Sequence, residues 1–161
     1  MALVAPENAH PAPEWNVQRW YNLPGRRSLV DYGGQVLVVH AFQMLCPGCV
    51  LHGIPQAQRI ETIFSSSDVA IVGLHTVFEH HAAMGPVALE AFLHEYRIGF
   101  PVGIDAPASA GRIPATMAAY EMRGTPTLLL IDRMGRLRMH AFGQLDDMAV
   151  GAAIATLVGE T

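Results

Sequence analysis

The feature that most constrains the fold of this chain is a predicted buried strand that runs almost directly into a helix. Residues 36–42 read VLVVHAF, a nearly continuous apolar and β-branched run typical of a strand buried on both faces. Helical spacing begins at Pro47 and continues to about Phe64. A second pattern of the same buried type, VAIVGLHTV, covers residues 69–77. The chain therefore alternates strands with helices, which favours an α/β fold.

The rest of the chain extends this α/β pattern. We predict an edge strand in EWNVQRWY, a helix from Pro86 to about Arg97, a short strand in FPVGID, and a helix in IPATMAAYEM that ends at Gly124. The segment TLLLIDRMGRLRMHAF predicts a hairpin, and LDDMAVGAAIATLVGE predicts a last helix capped by an aspartate. We expect one domain over residues 1–161, with a central mixed sheet flanked by helices and residues 1–13 as a loose arm.

Composition excludes several classes of function. Hydrophobic residues make up 51% of the 161 residues and charged residues only 15%, below the typical share of about 25%, which excludes a disordered chain. The net charge of -4 argues against a nucleic-acid partner, and no apolar run approaches the ~20 residues of a membrane-spanning helix. The N-terminus has no Lys or Arg before Arg19, so it does not resemble a secretory signal. We expect a cytoplasmic protein, or a periplasmic one if an export signal has been removed.

The only two cysteines, Cys46 and Cys49, lie where the first buried strand passes into the helix. We expect Cys46 at the N-cap and Pro47 at the first helical position, with the Cys46 sulfur accepting a hydrogen bond from the amide of Gly48 or Cys49. The positive end of the helix dipole adds to this effect, and both favour a reactive thiolate. Cys49 lies one turn further on the same helix face, so it can close a disulfide with Cys46.

A metal site and an inert pair are the structural alternatives. Structural zinc usually needs four ligands, but the sequence has no second cysteine pair, and the adjacent His80 and His81 are poorly spaced to share one ion. Two buried, unreactive thiols would pack as small apolar side chains, although the strand–helix junction argues against this. We therefore favour redox chemistry and expect neither a metal nor another cofactor.

Two segments together resemble the thioredoxin-like superfamily, and most closely its TlpA/ResA-like thiol-disulfide oxidoreductases, a branch near the peroxiredoxins. They are VVHAFQMLCPGC and, far downstream, RGTPTLLLIDRMGRL. The resemblance implies a thioredoxin-like fold with an inserted helix–strand segment from about residue 76 to 110. It also implies that Pro126 is cis and packs beside the cysteines, and that backbone groups of Thr125 pair with an extended substrate. The implied partners are protein thiols and disulfides, together with an electron donor that the sequence does not identify.

Three positions depart from that family pattern. Leu45 stands where relatives usually carry tryptophan before the first cysteine, and the dipeptide Pro47–Gly48 reverses the Gly-Pro of thioredoxins. That dipeptide tunes the potential, so the direction of electron flow stays open. His40 occupies the strand position where relatives carry a buried Asp or Asn. It is either a proton carrier for Cys49 or a core histidine satisfied by a carbonyl or water.

Two other functions compete with disulfide exchange. A peroxiredoxin-like peroxidase requires a threonine three residues before its reactive cysteine, and Gln43 stands there. A non-enzymatic metal carrier or binding module of this superfamily is the second alternative, although its copper-binding type expects CxxxC spacing. The leading hypothesis is a thiol-disulfide oxidoreductase in which Cys46 attacks and Cys49 resolves.

Overall fold

The computed structural model describes residues 2–161, in which seven strands form one mixed sheet. The strands are β1 (His10–Pro11), β2 (Val17–Tyr21), β3 (Val36–Phe42), β4 (Val69–His75), β5 (Val102–Asp105), β6 (Thr127–Ile131) and β7 (Arg136–Phe142). Their order across the sheet is β1-β7-β6-β3-β4-β5-β2. Neighbours β3, β4 and β5 run parallel, and every other neighbouring pair is antiparallel. The predicted mixed α/β sheet is confirmed.

Helices connect and cover these strands. They are α1 (Ile54–Ile63), α2 (Pro86–Glu95), α3 (Ala115–Ala119) and α4 (Asp147–Gly159), with short 3₁₀ turns at Pro6–Asn8, Leu29–Tyr32 and His81–Ala83. A π-helical turn, Cys49–Gly53, leads into α1. Helix α2 and strand β5 lie within residues 76–110, the range in which the resemblance implies an inserted helix–strand segment. Within residues 2–161, no helix combines the length and apolar character needed to cross a bilayer.

One helix is shorter than predicted. The pattern IPATMAAYEM predicted a helix that ends at Gly124, but α3 ends at Ala119 with Tyr120 as its C-cap. Glu121 adopts a left-handed backbone conformation, with φ of 51°. Because that conformation cannot continue a right-handed helix, the chain turns before the next strand.

The core lies on both faces of the sheet. Along β3, Val36, Val38 and Phe42 face one apolar cluster, which also contains buried residues of α1, α2 and α4. The alternate residues Leu37 and Val39 face a second cluster on the other side. This two-sided burial explains the continuous apolar run, because neither face of β3 is left for solvent.

The N-terminal segment lies along an edge of the sheet. The amide of Val4 donates to the carbonyl of Arg138 at 2.8 Å, and that of Ala12 donates to Gly135 at 2.9 Å. Between them, His10 pairs with Leu137 of β7. Part of the stretch expected as a loose arm is thus held by backbone pairing, because β7 would otherwise expose unpaired hydrogen-bonding groups at this edge.

Candidate active site

The two cysteines lie at the carboxyl end of the central strand β3. After Phe42 the chain makes a tight turn, in which the Cys46 amide donates to the carbonyl of Gln43 at 3.1 Å. Helical structure starts at Pro47. The amide of Cys49 donates to the Cys46 sulfur at 3.2 Å and to the Cys46 carbonyl at 3.1 Å. Cys46 therefore caps the helix through its sulfur.

The cysteines form a disulfide and differ sharply in exposure. Their Cα atoms are 5.2 Å apart, within the usual range for a bridged pair. Cys46 is partly exposed, whereas Cys49 is 0% exposed and belongs to the apolar cluster around Phe42. One sulfur can therefore meet a partner in solution, and the other is reached only through the first.

A second loop approaches the disulfide from the amino end of β6. The peptide bond between Thr125 and Pro126 is cis, as the resemblance implied. The Thr125 carbonyl oxygen lies 3.4 Å from the Cys46 sulfur. A Cβ atom added at Gly48 would lie 3.3 Å from Cδ of Pro126. Gly48 thus lets the helix start pack closely against this loop.

His40 lies on β3 and shares the sheet face of Val38 and Phe42, the face against which the apolar cluster with Cys49 packs. Its side chain is 2% exposed, and its ring stacks on Phe42 with centroids 6.0 Å apart. Among the described residues, Nε2 of His40 has no hydrogen-bond partner. Burial lowers the pKa of His40 to about 4, because charging the imidazole in this apolar setting is unfavourable.

Beside His40 lies a small niche that opens toward the surface. It is lined by His40, the exposed His52, Gly53, Pro126 and Leu145, among others. A Cβ atom at Gly53 would lie 2.6 Å from Nε2 of His40. Glycine is required there for steric reasons, because any side chain would fill the space beside the ring.

Two polar residues of the site were not identified as functional from the sequence. Gln43 is 2% exposed and lies just after β3, and His75 ends β4 and is buried. Nε2 of His75 lies 3.4 Å from the amide nitrogen of Met44, and burial lowers the pKa of His75 to about 4. The sequence did offer a signal for both residues, because each is a polar residue at the carboxyl end of a buried strand. Active sites and binding sites of α/β sheets usually lie at that end of the strands.

The described residues contain no group of three or more His, Cys, Asp or Glu side chains arranged to hold a metal ion. The candidate site thus consists of the disulfide, the Thr125–Pro126 loop and the buried polar residues around them. In chemical terms, it presents one accessible sulfur whose negative charge would be stabilised by a backbone amide.

Solved structures identify the fold family. A crystal structure described as a thioredoxin-like superfamily protein matches with 58% sequence identity and a TM-score of 0.92, covering 94% of this chain and 97% of that one. The chain belongs to the thioredoxin-like superfamily. A second thioredoxin-like relative, named a thiol-disulfide isomerase from Corynebacterium glutamicum, is 49% identical, with a TM-score of 0.90 and the same coverage of both chains.

More distant structures share only the thioredoxin-like fold. A thiol:disulfide interchange protein of the DsbE type from Chlorobium tepidum is 20% identical, with a TM-score of 0.75, and the match covers 94% of this chain and 97% of that one. No family model matches the chain, and no curated protein matches it significantly. The assignment therefore rests on the two solved structures of high identity and on the disulfide that the site contains.

Proposed function

We propose that this thioredoxin-like protein is a thiol-disulfide oxidoreductase that exchanges its Cys46–Cys49 disulfide with the thiols and disulfides of other proteins. The observation that carries the proposal is the unequal pair, in which a partly exposed sulfur caps a helix and a buried one lies at bonding distance. The 49% identical relative named a thiol-disulfide isomerase supports it.

In the reducing direction, the Cys46 thiolate attacks one sulfur of a client disulfide. A bond forms between that sulfur and Cys46, and the other client sulfur leaves as a thiolate, which takes up a proton. The Cys49 thiolate then attacks the Cys46 sulfur, which re-forms the intramolecular disulfide and releases the second client thiolate. Two electrons and two protons pass from the protein to the client, and the reverse sequence oxidises a client dithiol.

The environment of Cys46 suits the first step. The amide of Cys49 donates toward the Cys46 sulfur at 3.2 Å, an interaction that becomes stronger when the sulfur carries a negative charge. The helix that starts at Pro47 adds its positive end at the same place. Both interactions stabilise the Cys46 thiolate, which attacks in the reducing direction and is the leaving group in the last step of the reverse sequence.

We assign His40 to the proton transfer that the second step requires. Cys49 is fully buried, so its proton needs an acceptor inside the fold. His40 lies on the face of β3 that packs against the apolar cluster of Cys49, and it is uncharged at neutral pH. Its Nε2 has no hydrogen-bond partner in residues 2–161 and lies beside the niche that opens toward His52. An imidazole nitrogen without a hydrogen-bond partner is free to accept that proton.

The loop opposite the cysteines provides the docking site for the client. Thr125 presents its backbone next to Cys46, where an extended client segment can pair with it. Leu45, which is 58% exposed, and the exposed Phe142 flank this position. Phe142 packs over the backbone of Gly124, directly before Thr125. An apolar client segment would cover these side chains on binding.

The decisive experiment is an equilibrium titration of the disulfide against glutathione and dithiothreitol, with an insulin reduction assay alongside. The variants Cys46→Ser and Cys49→Ser are the controls. We expect one reversible two-electron couple, with insulin reduction abolished in Cys46→Ser. A mixed disulfide with the client should accumulate in Cys49→Ser, because the resolving thiol is gone.

The measured potential also assigns the direction and the compartment. A value near that of thioredoxin, about -270 mV, would make the protein a reductant suited to the cytoplasm, and a value near that of DsbA, about -120 mV, would make it an oxidant suited to the periplasm. The absence of a reversible couple would overturn the proposal. Stoichiometric copper binding without reductase activity would instead favour a metal carrier.

A further inference from the structure

Gln43 lies in the turn between β3 and Cys46, and both the oxygen and the nitrogen of its side-chain amide form hydrogen bonds. Its Oε1 accepts a hydrogen bond from the amide of Phe78 at 3.2 Å, and its Nε2 donates to Oγ1 of Thr125 at 3.5 Å. Its main-chain carbonyl accepts from the amide of Cys46 at 3.1 Å. One buried residue thus connects three separate segments around the disulfide.

Three hydrogen bonds join the end of β3 and the turn before Cys46 to the end of β4 and the residues that follow it. The amide of Thr76 donates to the carbonyl of Phe42, the amide of Met44 donates to His75, and the amide of Phe78 donates to Gln43. Among the described residues, two contacts of this turn reach across to the Thr125–Pro126 loop: the hydrogen bond from the Gln43 side chain to Oγ1 of Thr125, and the approach of the Cys46 sulfur to the Thr125 carbonyl. Gln43 therefore couples that loop to the rest of the site.

The position of Thr125 affects the charge that Cys46 can carry. Two groups contact the Cys46 sulfur with opposite effects: the amide of Cys49 at 3.2 Å favours the thiolate, and the carbonyl oxygen of Thr125 at 3.4 Å favours the protonated thiol. A shift of Thr125 by a few tenths of an ångström changes this balance, because hydrogen bonds weaken steeply with distance and angle.

We infer that Gln43 is a positioning residue of disulfide exchange, which holds Thr125 against Cys46 and thereby sets both the reactivity of the Cys46 sulfur and the place where the client segment pairs. The inference rests on the proposed exchange function and adds a residue to it. Gln43 does not touch the reacting sulfur in this role, and it acts through Thr125.

The test measures the rate at which iodoacetamide alkylates Cys46 in the reduced protein as a function of pH. Cys49 is buried, so the reagent reports on Cys46. Gln43→Met keeps the length of the side chain but removes both amide hydrogen bonds. We expect the midpoint of the rate profile to move about half a pH unit lower, an approximately threefold change in thiolate fraction below the midpoint, because the Thr125 carbonyl is no longer held near the sulfur.

Two further variants separate positioning from general loss of stability. Gln56→Met removes another buried glutamine, whose Nε2 donates to Leu145 at 3.0 Å and Asp147 at 2.9 Å, so it should lower stability to urea without moving the Cys46 midpoint. Thr125→Val removes the hydroxyl that Gln43 contacts and should move the midpoint in the same direction. The double variant Gln43→Met/Thr125→Val should shift no further than the larger single shift.

Each outcome has a distinct meaning. The inference would be overturned if Gln43→Met left the midpoint of Cys46 alkylation unchanged. It would also be overturned if the midpoint shifts of the two single variants added fully in the double variant, because Gln43 would then not act through Thr125. A wild-type protein without a reversible disulfide couple would instead overturn the proposed function. The two failures are distinguishable, because alkylation of Cys46 requires no client and no exchange activity.

Discussion

Two buried basic side chains of this sheet, Arg138 on β7 and His40 on β3, have opposite environments. Both are 2% exposed. The guanidinium of Arg138 donates to the carbonyl of Val4 at 2.6 Å, to Asp132 at 3.2 Å and to both carboxylate oxygens of Glu160. The Nε2 of His40 has no partner among the described residues and faces a niche that Gly53 leaves open.

The contrast separates a structural residue from one that can take part in chemistry. A buried charge must be paired, and Arg138 joins three parts of the chain by pairing with all of them: the N-terminal segment, the β6–β7 turn and the residue after α4. A buried imidazole can stay neutral instead. The missing partner at His40 leaves one nitrogen able to accept a proton, which the fully bonded Arg138 cannot do.

The largest effect is expected when the Arg138 network loses a partner. Asp132→Ala should lower the free energy of unfolding by about 3–5 kcal/mol, because it leaves a buried guanidinium without one of its carboxylates. Urea denaturation followed by tryptophan fluorescence measures this loss. The matched control is Asp68→Ala, whose 3.1 Å pair with Arg133 is partly exposed and should contribute less than about 1 kcal/mol. Equal losses in the two variants would contradict the contrast.

A smaller effect is expected when the protein is acidified. Burial lowers the pKa of His40 to about 4, whereas the unfolded chain protonates this side chain near 6.5. The unfolded state therefore binds more protons between these values, and stability falls as pH decreases through that window. Between pH 7 and pH 5, His40 should account for a loss of about 2 kcal/mol.

Urea denaturation of the wild type and of His40→Leu at both pH values isolates that contribution. The buried His75, whose pKa is also lowered to about 4, makes a similar contribution in both proteins and cancels in the comparison. An acid loss of the same size in His40→Leu and in the wild type would show that the pKa of His40 in the folded protein is close to its pKa in the unfolded chain.

The smallest expected effect follows from closing the niche. Gly53→Ala places a methyl group against the His40 ring and should destabilise the fold by about 1 kcal/mol or more through overpacking. Insulin reduction at several pH values should show whether the open space also serves proton transfer, since a filled niche would separate His40 from solvent. Gly151→Ala is the control, because a Cβ there meets nothing within 4 Å. Identical stability in the two variants would show that the niche accommodates a side chain.

Much of the fold was predictable from local pattern. The run VLVVHAF predicted the buried strand β3 residue for residue, and the helical spacing after Pro47 predicted the helix that carries the cysteines. The predicted end of α3 was wrong, because apolar spacing does not encode the left-handed conformation of Glu121. The π-helical turn at Cys49–Gly53 was also not predicted, since its hydrogen bonds differ by one residue from those of an α-helix.

The sequence by itself determined the features that depend on interactions between residues a few positions apart in the chain. These are the strands and helices, the cap that places one cysteine sulfur near the amide of the other, and the short distance between the two thiols. The tertiary structure decided the contacts between distant segments: Gln43 with Thr125, Gly53 with His40, and Arg138 with Val4. The physical reason is that local pattern sets periodicity and burial, whereas the partner of a buried polar atom is chosen only when the strands pack.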